Sequence, residues 1–266
     1  MTQVKDIYQF IDRFAPFSLQ EGFDNAGFLV GRSTQEVSRV LTALDITLPV
    51  IHEAREMGAQ LIVAHHPVIF HPLKEITDSD PVGERVLLLA ENGISAICAH
   101  TNLDAVAGGV NDCLAQALGL VNIEQLAQAG EDDRGRPYGI GRIGSRKCRD
   151  LVLVPEFAAY VKEQLNAPCV RYHDAGRPVS RVAVGGGSCG SMLADAVAAG
   201  CDTFVTADVK HDVFLDAAQL GINLLDAGHF STENVVMDPL TRALREAFPD
   251  LDVCRSTVHK EVYSAL

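Results

Sequence analysis

The sequence predicts an α/β protein made of two related α/β lobes, and two patterns in the chain support this prediction. Short apolar runs of strand length alternate with segments of helical periodicity, which is typical of parallel sheets with crossover helices. A stretch of the first half also recurs in the second half, as expected of an internal duplication. The polar, breaker-rich segment 131–137 is the best candidate for a boundary. We therefore expect lobes over residues 1–130 and 131–266, which can exchange terminal elements.

The composition is that of a globular protein and narrows the classes of function. Of the 266 residues, 47% are hydrophobic and 21% are charged, which excludes a disordered chain. The net charge of -13 disfavours nucleic acid and anionic membranes as partners unless basic residues cluster. No apolar segment has the length of a bilayer span, and the N-terminus lacks the layout of a signal peptide. We therefore expect no membrane association and a cytoplasmic location.

The cysteines point away from disulfides and from thiolate metal sites. There are seven, an odd number, and none forms a C-x-x-C pair. We expect most of them to be small core residues. Their positions are Cys98, Cys113, Cys148, Cys169, Cys189, Cys201 and Cys254. Any metal ion must then be held by imidazole and carboxylate groups.

The first lobe reads as a helix followed by alternating strands and helices. Apolar residues three or four apart predict a helix over Val4–Phe14 that ends before Pro16. The turn-rich loop beyond it holds Asp24 and Asn25, which are either plain turn formers or support for a nearby site. Further strands are predicted at 39–45, 60–63 and 94–98, and helices at 49–57, from Asp80-Pro81 to Glu91, and from Gly108-Gly109 to Leu118. Strand, helix and strand at this length imply a right-handed parallel crossover.

The second lobe repeats part of this plan. A strand is predicted at 150–154, a helix at 156–165 and a further strand at 168–172. Ser180-Arg181-Val182 then repeats Ser38-Arg39-Val40, and the alignment continues without a gap. Gly58 aligns with Gly200 and Val63 with Val205, so glycines and strand valines occupy equivalent places. The repeat predicts a second strand-helix-strand unit.

Two adjacent histidines follow the apolar strand at 60–63. A buried imidazole must find polar partners, so His65-His66 is costly to place on an ordinary core strand. Neighbouring residues of a strand point to opposite faces, so both rings can serve one cluster only where the pleat ends or where the metal centre is double. Pro67 favours extended geometry at His66 and cannot continue a strand ladder. The pair is either a metal site or two solvent-facing histidines of a loop.

The next predicted strand ends carry histidine and a carboxylate four residues apart. His100 is followed by Asp104, and His229 by Glu233, and such pairs share a face if they lie in a helical turn. Taken singly, His229 and Glu233 resemble an ordinary surface pair. Open α/β sheets, however, bind ligands at the carboxyl ends of their strands. Together with His65 and His66, these groups supply enough donors for two divalent cations.

These residues lie in motifs that resemble a known family, the GTP cyclohydrolase I type 2 homologues, also called the NGG-interacting-factor-like family. The matching blocks are DNAGFLVG at 24–31, HHPVIFHPLK at 65–74, AHTNLD at 99–104, GGGS at 185–188 and GHFSTE at 228–233. The resemblance implies two α/β lobes with a dinuclear metal site between them, assembled as a toroidal homohexamer. Phe23 stands where the family often has tryptophan. The loop near Glu131 is too short for the extra central domain of many relatives, so this is the compact form.

The resemblance also implies a role for each site residue. His65 and Asp104 would bind one metal ion, His66 and His229 the other, and Glu233 would bridge them. His100 would orient a ligand through its other ring nitrogen. Zinc, iron, manganese and nickel all accept such donors. The glycine-rich Gly185–Gly187 would either cradle an anion with its amides or form a tight turn between a strand and a helix.

The implied activity is metal-dependent hydrolysis. Paired cations would lower the pKa of a bound water, and the family name implies a nucleotide substrate such as GTP, opened at its imidazole ring with release of formate. His100, His71 and Lys74 are candidates for proton transfer, and each is otherwise a structural histidine, a loop histidine or a solvated lysine. The alternative is a non-catalytic metal-binding protein that serves regulation or protein interaction. Nucleic-acid binding is a third, disfavoured class.

Overall fold

A computed structural model describes residues 1–147 and 150–266, and it shows a mixed α/β protein. The chain forms two compact units. The first unit comprises residues 1–103 and 237–260, and the second comprises residues 104–236 and 261–266. Cys148 lies outside the described residues. The other six cysteines are free thiols, and Cys98, Cys113 and Cys201 are buried.

Ten α-helices, three short 3₁₀ helices and thirteen strands lie in the described ranges. The helices are α1 (Val4–Phe14), α2 (Leu48–Glu56), α3 (Pro81–Glu91), α4 (Thr101–Ala105), α5 (Val110–Ala117), α6 (Val154–Gln164), α7 (Leu193–Ala198), α8 (His211–Leu220), α9 (His229–Glu233) and α10 (Met237–Ala247). The strands are β1 (Gly27–Val30), β2 (Arg39–Ala43), β3 (Leu61–Ala64), β4 (Ser95–Cys98), β5 (Leu120–Gln125), β6 (Gly130–Glu131), β7 (Pro137–Tyr138), β8 (Arg142–Arg146), β9 (Arg171–His173), β10 (Arg181–Val184), β11 (Thr203–Thr206), β12 (Asn223–Asp226) and β13 (Asp252–Arg255). None of the helices in the described part of the chain is both long and apolar enough to cross a bilayer.

The first unit is built on a five-stranded sheet in the order β1-β4-β3-β2-β13. Strands β4, β3, β2 and β13 run parallel, and β1 is antiparallel to β4. Strands β3 and β4 are buried at every residue, as expected of parallel strands covered on both faces. Because parallel strands end at the same edge of a sheet, Asp45, His65-His66 and His100 follow β2, β3 and β4 at one edge.

Local sequence signals account for the helix boundaries of the first unit. Helix α1 spans the predicted residues, and Asp6 accepts a hydrogen bond from the Gln3 amide at 2.8 Å. Helix α3 begins at Pro81, and the Asp80 carboxylate caps it by accepting from the Val82 and Gly83 amides at 3.0 and 2.8 Å. Both predicted helices are confirmed.

The second unit is built on a six-stranded sheet in the order β5-β8-β10-β11-β12-β9. Strands β10, β11 and β12 run parallel, while β8 and β9 are antiparallel to their neighbours. The edge strand β5 pairs with β8, and this antiparallel pair was not predicted. The Gly185–Gly187 turn, Asp208 and His229 follow β10, β11 and β12 at the carboxyl edge of this sheet.

The predicted strand at 150–154 is wrong. Val154 opens α6, and Pro155 lies in the first turn, where its fixed φ and missing N–H suit a helix start. Val154 is buried, and Val152 packs partly buried against the same core, which also contains Phe157. Val152 and Val154 therefore pack against this core, whereas Leu151 and Leu153 are exposed.

The two sheets share the order of three parallel strands and an antiparallel edge. In the first unit this series is β2-β3-β4-β1, and in the second it is β10-β11-β12-β9. Similar contacts precede the strands: Gln60 Oε1 accepts from the Ser38 and Arg39 amides at 2.9 and 3.0 Å. In the second unit the Asp202 carboxylate accepts from the Ser180 and Arg181 amides at 3.0 and 2.8 Å.

Candidate metal site

Three histidines cluster at the carboxyl edge of the first unit's sheet. One ligand atom each from His65, His66 and His100 lie within 4.8 Å of one another. The ring centroids of His65 and His66 are 4.9 Å apart, and that of His100 lies 5.2 and 5.4 Å from them. His65 is fully buried, and the side chain of His66 is 21% exposed. These imidazoles belong to a compact site and not to a solvent-facing loop.

The Nδ1 atom of each clustered histidine contacts an oxygen. His65 Nδ1 donates to the Ala99 carbonyl at 2.8 Å, and His66 Nδ1 lies 2.7 Å from Asp45 Oδ1. His100 Nδ1 lies 2.7 Å from Asp24 Oδ1. In a neutral imidazole whose Nδ1 donates, Nε2 carries the lone pair that can bind a metal ion. Such oxygen partners are typical of histidines that ligate metals, so the residues present fit a divalent ion.

Asp24 organises the loop beside His100. Its side chain is shielded from solvent, and it also accepts hydrogen bonds from Thr101 N at 3.0 Å and Thr101 Oγ1 at 2.5 Å. Burial acts to raise the pKa of the Asp24 carboxyl, but hydrogen bonds from His100 and Thr101, together with the charge of His100, lower it to about 2. Asn25 donates through Nδ2 to the Ile69 carbonyl at 2.6 Å. The two residues therefore shape the turn and support the histidine cluster.

Asp45 joins two histidines that the sequence did not associate. Its Oδ1 contacts His66, and its Oδ2 lies 3.0 Å from Nε2 of His259. Burial acts to raise the pKa of the Asp45 carboxyl, but the hydrogen bonds and charges of His259 and His66 hold it below its usual range. Sequence reasoning missed both residues, although the position of Asp45 just after β2 was a usable signal.

The other candidates for proton transfer in the first unit lie on an exposed segment. His71 and Lys74 are both exposed, between β3 and α3. The ring of Phe70 connects His71 to the cluster, because its centroid lies 4.8 Å from His71 and 5.9 Å from His100. Phe23 is 66% exposed and packs edge-on against Phe70, with the ring centroids 6.5 Å apart.

In the second unit, His229 and Glu233 form a pair on α9. Helix α9 begins at His229, and Glu233 follows one turn later, so that His229 Nε2 lies 3.0 Å from Glu233 Oε2. Glu233 is only 3% exposed, whereas the His229 side chain is 37% exposed. His229 Nδ1 lies 2.7 Å from Asp208 Oδ2. Asp208, with a φ of 52°, thus contacts this ring as Asp45 contacts His66.

The glycine-rich turn after β10 makes room for Glu233. Gly187 has a φ of 64°, and a Cβ atom placed there would overlap Glu233 Oε1. The amides of Gly185, Gly186 and Gly187 donate to Val205 O at 2.9 Å, Asn111 Oδ1 at 2.9 Å and Thr232 Oγ1 at 3.0 Å. Because protein oxygens take these three amides, the structure favours the turn interpretation over an anion cradle.

Asp104 lies in the second unit, near the same turn. It is 8% exposed, and its carbonyl accepts from Asn111 Nδ2 at 3.0 Å, so that Asn111 contacts both Asp104 and Gly186. Cys189 is nearby: burial, with the negative charges of Asp104 and Glu233, raises the pKa of its thiol to about 12. In the metal-free protein its thiol is therefore protonated near neutral pH.

Comparison with known proteins identifies the family of this chain. The family model described as Duf34/NIF3 (NGG1p interacting factor 3) matches residues 2–262. A "GTP cyclohydrolase 1 type 2 homolog" from Clostridium perfringens is 35% identical over 252 residues, which cover 94% of each chain.

Solved structures agree as well. The crystal structure of Staphylococcus aureus protein SA1388 is similar with a TM-score of 0.92 and 31% identity, and the match covers 100% of this chain and 99% of that chain. A Bacillus cereus protein related to NIF3 is similar with a TM-score of 0.93 and 25% identity, at the same coverage. The chain therefore belongs to the Duf34/NIF3 family.

Proposed function

We propose that this chain binds two divalent metal ions and hydrolyses a nucleotide or a related substrate. The ligands would be those expected from the sequence, namely His65, His66, Asp104, His229 and Glu233. The observation that carries the proposal is the oxygen partner at the Nδ1 atom of each of the three ligand histidines. This arrangement selects Nε2 as the metal-binding nitrogen in both units.

The donors of the two units differ in a way that suits two ions. The first unit supplies imidazoles, and the second supplies the carboxylates of Asp104 and Glu233 together with one imidazole. Glu233 is buried and has two oxygens, which supports a bridging role. Mixed imidazole and carboxylate donors accept zinc, iron, manganese or nickel, so the native metal must be identified by experiment.

Bound divalent ions would supply Lewis acidity and lower the pKa of a coordinated water. The protein's own groups would then handle protons and orientation. Of the three candidates for proton transfer, His100 is the best supported, because its ring lies beside His65 and His66 and contacts the shielded Asp24. His71 and Lys74 are exposed and remain candidates that act from the loop.

The substrate class is supported by the relatives. Several are named GTP cyclohydrolase 1 type 2 homologues, which favours a purine nucleotide such as GTP, with hydrolytic opening of its imidazole ring and release of formate. The Gly185–Gly187 turn gives no support to phosphate binding, since its amides already have partners.

Metal stoichiometry tests the first half of the proposal. We expect elemental analysis to find about two divalent ions per purified chain. Replacing Glu233→Gln removes a charge and one ligand oxygen, so at least one ion should be lost. The matched control is Asp212→Asn, which changes an exposed carboxylate of α8 in the same unit. Full metal content in the Glu233→Gln protein would contradict the bridging role.

Turnover tests the second half. The protein, loaded with its identified metal, should be screened against nucleotides and phosphoesters beside a His65→Ala control. Turnover that disappears in the control supports the hydrolase. Metal binding without any ligand-dependent turnover would instead favour a non-catalytic regulatory or protein-interaction role.

The organisation of the chain is part of the same proposal. We propose that residues 1–130 and 131–266 are two copies of one ancestral α/β lobe, with α5 and β5 exchanged into the second unit and α10 and β13 into the first. The shared strand order and the matching contacts of Gln60 and Asp202 support this duplication. We also propose a toroidal homohexamer in the cytoplasm. Light scattering that gives a mass other than six copies of the 28.6 kDa chain would contradict that assembly.

A further inference from the structure

Residues 256–260, which follow β13, have no helix or strand, yet hydrogen bonds attach them to the first unit. Residues 256–260 continue from β13, and the Ser256 amide donates to the Thr42 carbonyl at 2.8 Å. The segment therefore extends along the carboxyl end of β2, close to the position where Asp45 begins the next loop.

Glu53 of α2 anchors this segment. Its Oε1 accepts from Thr257 N at 2.9 Å and from Thr257 Oγ1 at 2.6 Å, and its Oε2 accepts from Ser256 Oγ at 2.5 Å. The His259 amide in turn donates to Ser256 Oγ at 3.2 Å. One carboxylate thus fixes the backbone that carries His259, which restricts where its ring can lie.

The ring of His259 meets the carboxylate that orients His66. His259 Nε2 lies 3.0 Å from Asp45 Oδ2, and the His259 side chain is only 6% exposed although it belongs to a terminal segment. Asp45 itself is 38% exposed and contacts His66 through its other oxygen. A carboxylate with that much exposure would otherwise change rotamer and exchange its partner for water.

We infer that His259 is a positioning residue for the metal site, which holds Asp45 so that this carboxylate keeps His66 in the Nδ1–H tautomer with Nε2 as the ligand. The inference rests on the proposed metal-binding function. It adds the C-terminal segment to the machinery of the site, through a residue that touches neither ion nor substrate. Partners that orient a ligand histidine through its other nitrogen typically change metal affinity by about 10- to 100-fold when they are removed.

The first measurement needs no metal. In chelator-treated protein labelled with ¹⁵N-histidine, the chemical shifts of the ring nitrogens report which nitrogen of His66 carries the proton, and a His66→Gln variant assigns the signals. We expect the Nδ1–H tautomer to dominate in the parent protein and to lose population in His259→Ala. The control Val258→Ala shortens an exposed neighbour on the same segment and should leave the tautomer unchanged.

The second measurement uses Co²⁺ alone, because its visible absorption reports the ligands of the bound ion. We expect His259→Ala to weaken the binding of the Co²⁺ ion that His66 would ligate by about tenfold. This is the lower end of the range for groups that orient a ligand histidine. His259→Gln retains an N–H donor at a similar reach, so it should recover most of the affinity and the parent spectrum. If His259→Ala does not fold, Ser256→Ala tests the same path by loosening the segment while His259 remains.

The outcomes separate the two proposals. A parent protein that binds no Co²⁺ contradicts the proposed function, whereas the tautomer measurement still decides the role of His259. Folded His259→Ala protein with an unchanged tautomer and unchanged Co²⁺ affinity would overturn the inference. So would a Val258→Ala protein as defective as His259→Ala, or a His259→Gln protein that recovers nothing.

Discussion

The two units carry different side chains after equivalent parallel strands. In the first unit, β2, β3 and β4 lead to Asp45, His65-His66 and His100. In the second, β10, β11 and β12 lead to Gly187, Asp208 and His229. The gapless alignment of the two copies, which are offset by 142 residues, pairs Asp45 with Gly187 and His66 with Asp208.

The aligned positions exchange roles between the units. After β2, Asp45 is the carboxylate that orients a histidine, and the aligned Gly187 instead leaves space for Glu233. After β3, His66 is a candidate ligand, and the aligned Asp208 contacts His229. If the units arose by duplication, as we propose, one copy specialised in imidazoles and the other in carboxylates. The scaffold fixes where the donors lie, and single residues decide what they are.

The largest effect expected from this comparison is that of Gly187→Ala. A methyl group there meets Glu233 Oε1, and the left-handed backbone adds strain, so we expect about 3 kcal/mol of lost unfolding free energy and loss of bound metal. Gly200→Ala is the matched control in the same unit, because its φ is 73° but no atom lies within 4 Å of the added group. It should cost only about 1 kcal/mol. Equal urea midpoints for the two variants would show that Glu233 does not depend on the space left by the missing side chain of Gly187.

The second-largest effect is expected at Asp24, the buried carboxylate that contacts His100. The pKa of Asp24 is about 2, below its ordinary value of 3.8. The ionised Asp24 therefore stabilises the folded protein fully above pH 3.8, and this stabilisation is lost as the pH falls to about 2. We expect Asp24→Asn to cost about 2 kcal/mol near neutral pH in metal-free protein, with a deficit that shrinks in acid. Asp208→Asn, at a side chain 53% exposed, should cost under about 0.5 kcal/mol. A deficit of Asp24→Asn that does not vary with pH would refute this account.

Metal affinity distinguishes Asp208, which contacts His229, from an ordinary surface acid. Asp208→Asn keeps the shape of the side chain but weakens its contact with His229 Nδ1, so we expect Zn²⁺ affinity to fall about tenfold. Asp212→Asn in the same unit should leave the affinity unchanged. Competition with a chromophoric chelator measures both, and identical constants would remove Asp208 from the site.

The smallest difference between paired variants, about 1 kcal/mol, concerns the contacts that precede the parallel strands. Asp202 is 8% exposed and accepts from two amides and from Thr203 Oγ1 at 2.8 Å, so Asp202→Ala should cost about 2 kcal/mol. Gln60 is half-buried and neutral, and Gln60→Ala should cost about 1 kcal/mol. Urea unfolding measures both losses. A larger loss for Gln60→Ala than for Asp202→Ala would show that the two aligned contacts are not equivalent.

Elements with a strong local signal could be predicted from the sequence. The spacing in α1 and the Asp80-Pro81 start of α3 each encode their helix within a few residues. The pairing of β13 with β2 joins distant parts of the chain, so no local pattern could reveal it. The apolar run ending at Val154 was misread because the same residues can face a core from a strand or from an extended lead into a helix.

The candidate site shows the same limit. His65, His66 and His100 could be placed together because parallel strands end at one edge of a sheet. For Asp24 the sequence left two alternatives, a turn former or support for a nearby site, and the structure places it in contact with His100. The contact of Asp45 with His259 depends on a terminal segment without regular structure, for which neither periodicity nor spacing carries information.

The backbone of Asp208 has a consequence for how this chain can vary. Its φ of 52° is tolerated by glycine, asparagine and aspartate far better than by other residues. The contact with His229 separately demands a side-chain oxygen, which glycine lacks. In a saturation library at this codon, survivors selected for metal retention should therefore be limited to aspartate and asparagine. Position 208 would then accept very few substitutions, even though half of the Asp208 side chain is exposed to solvent.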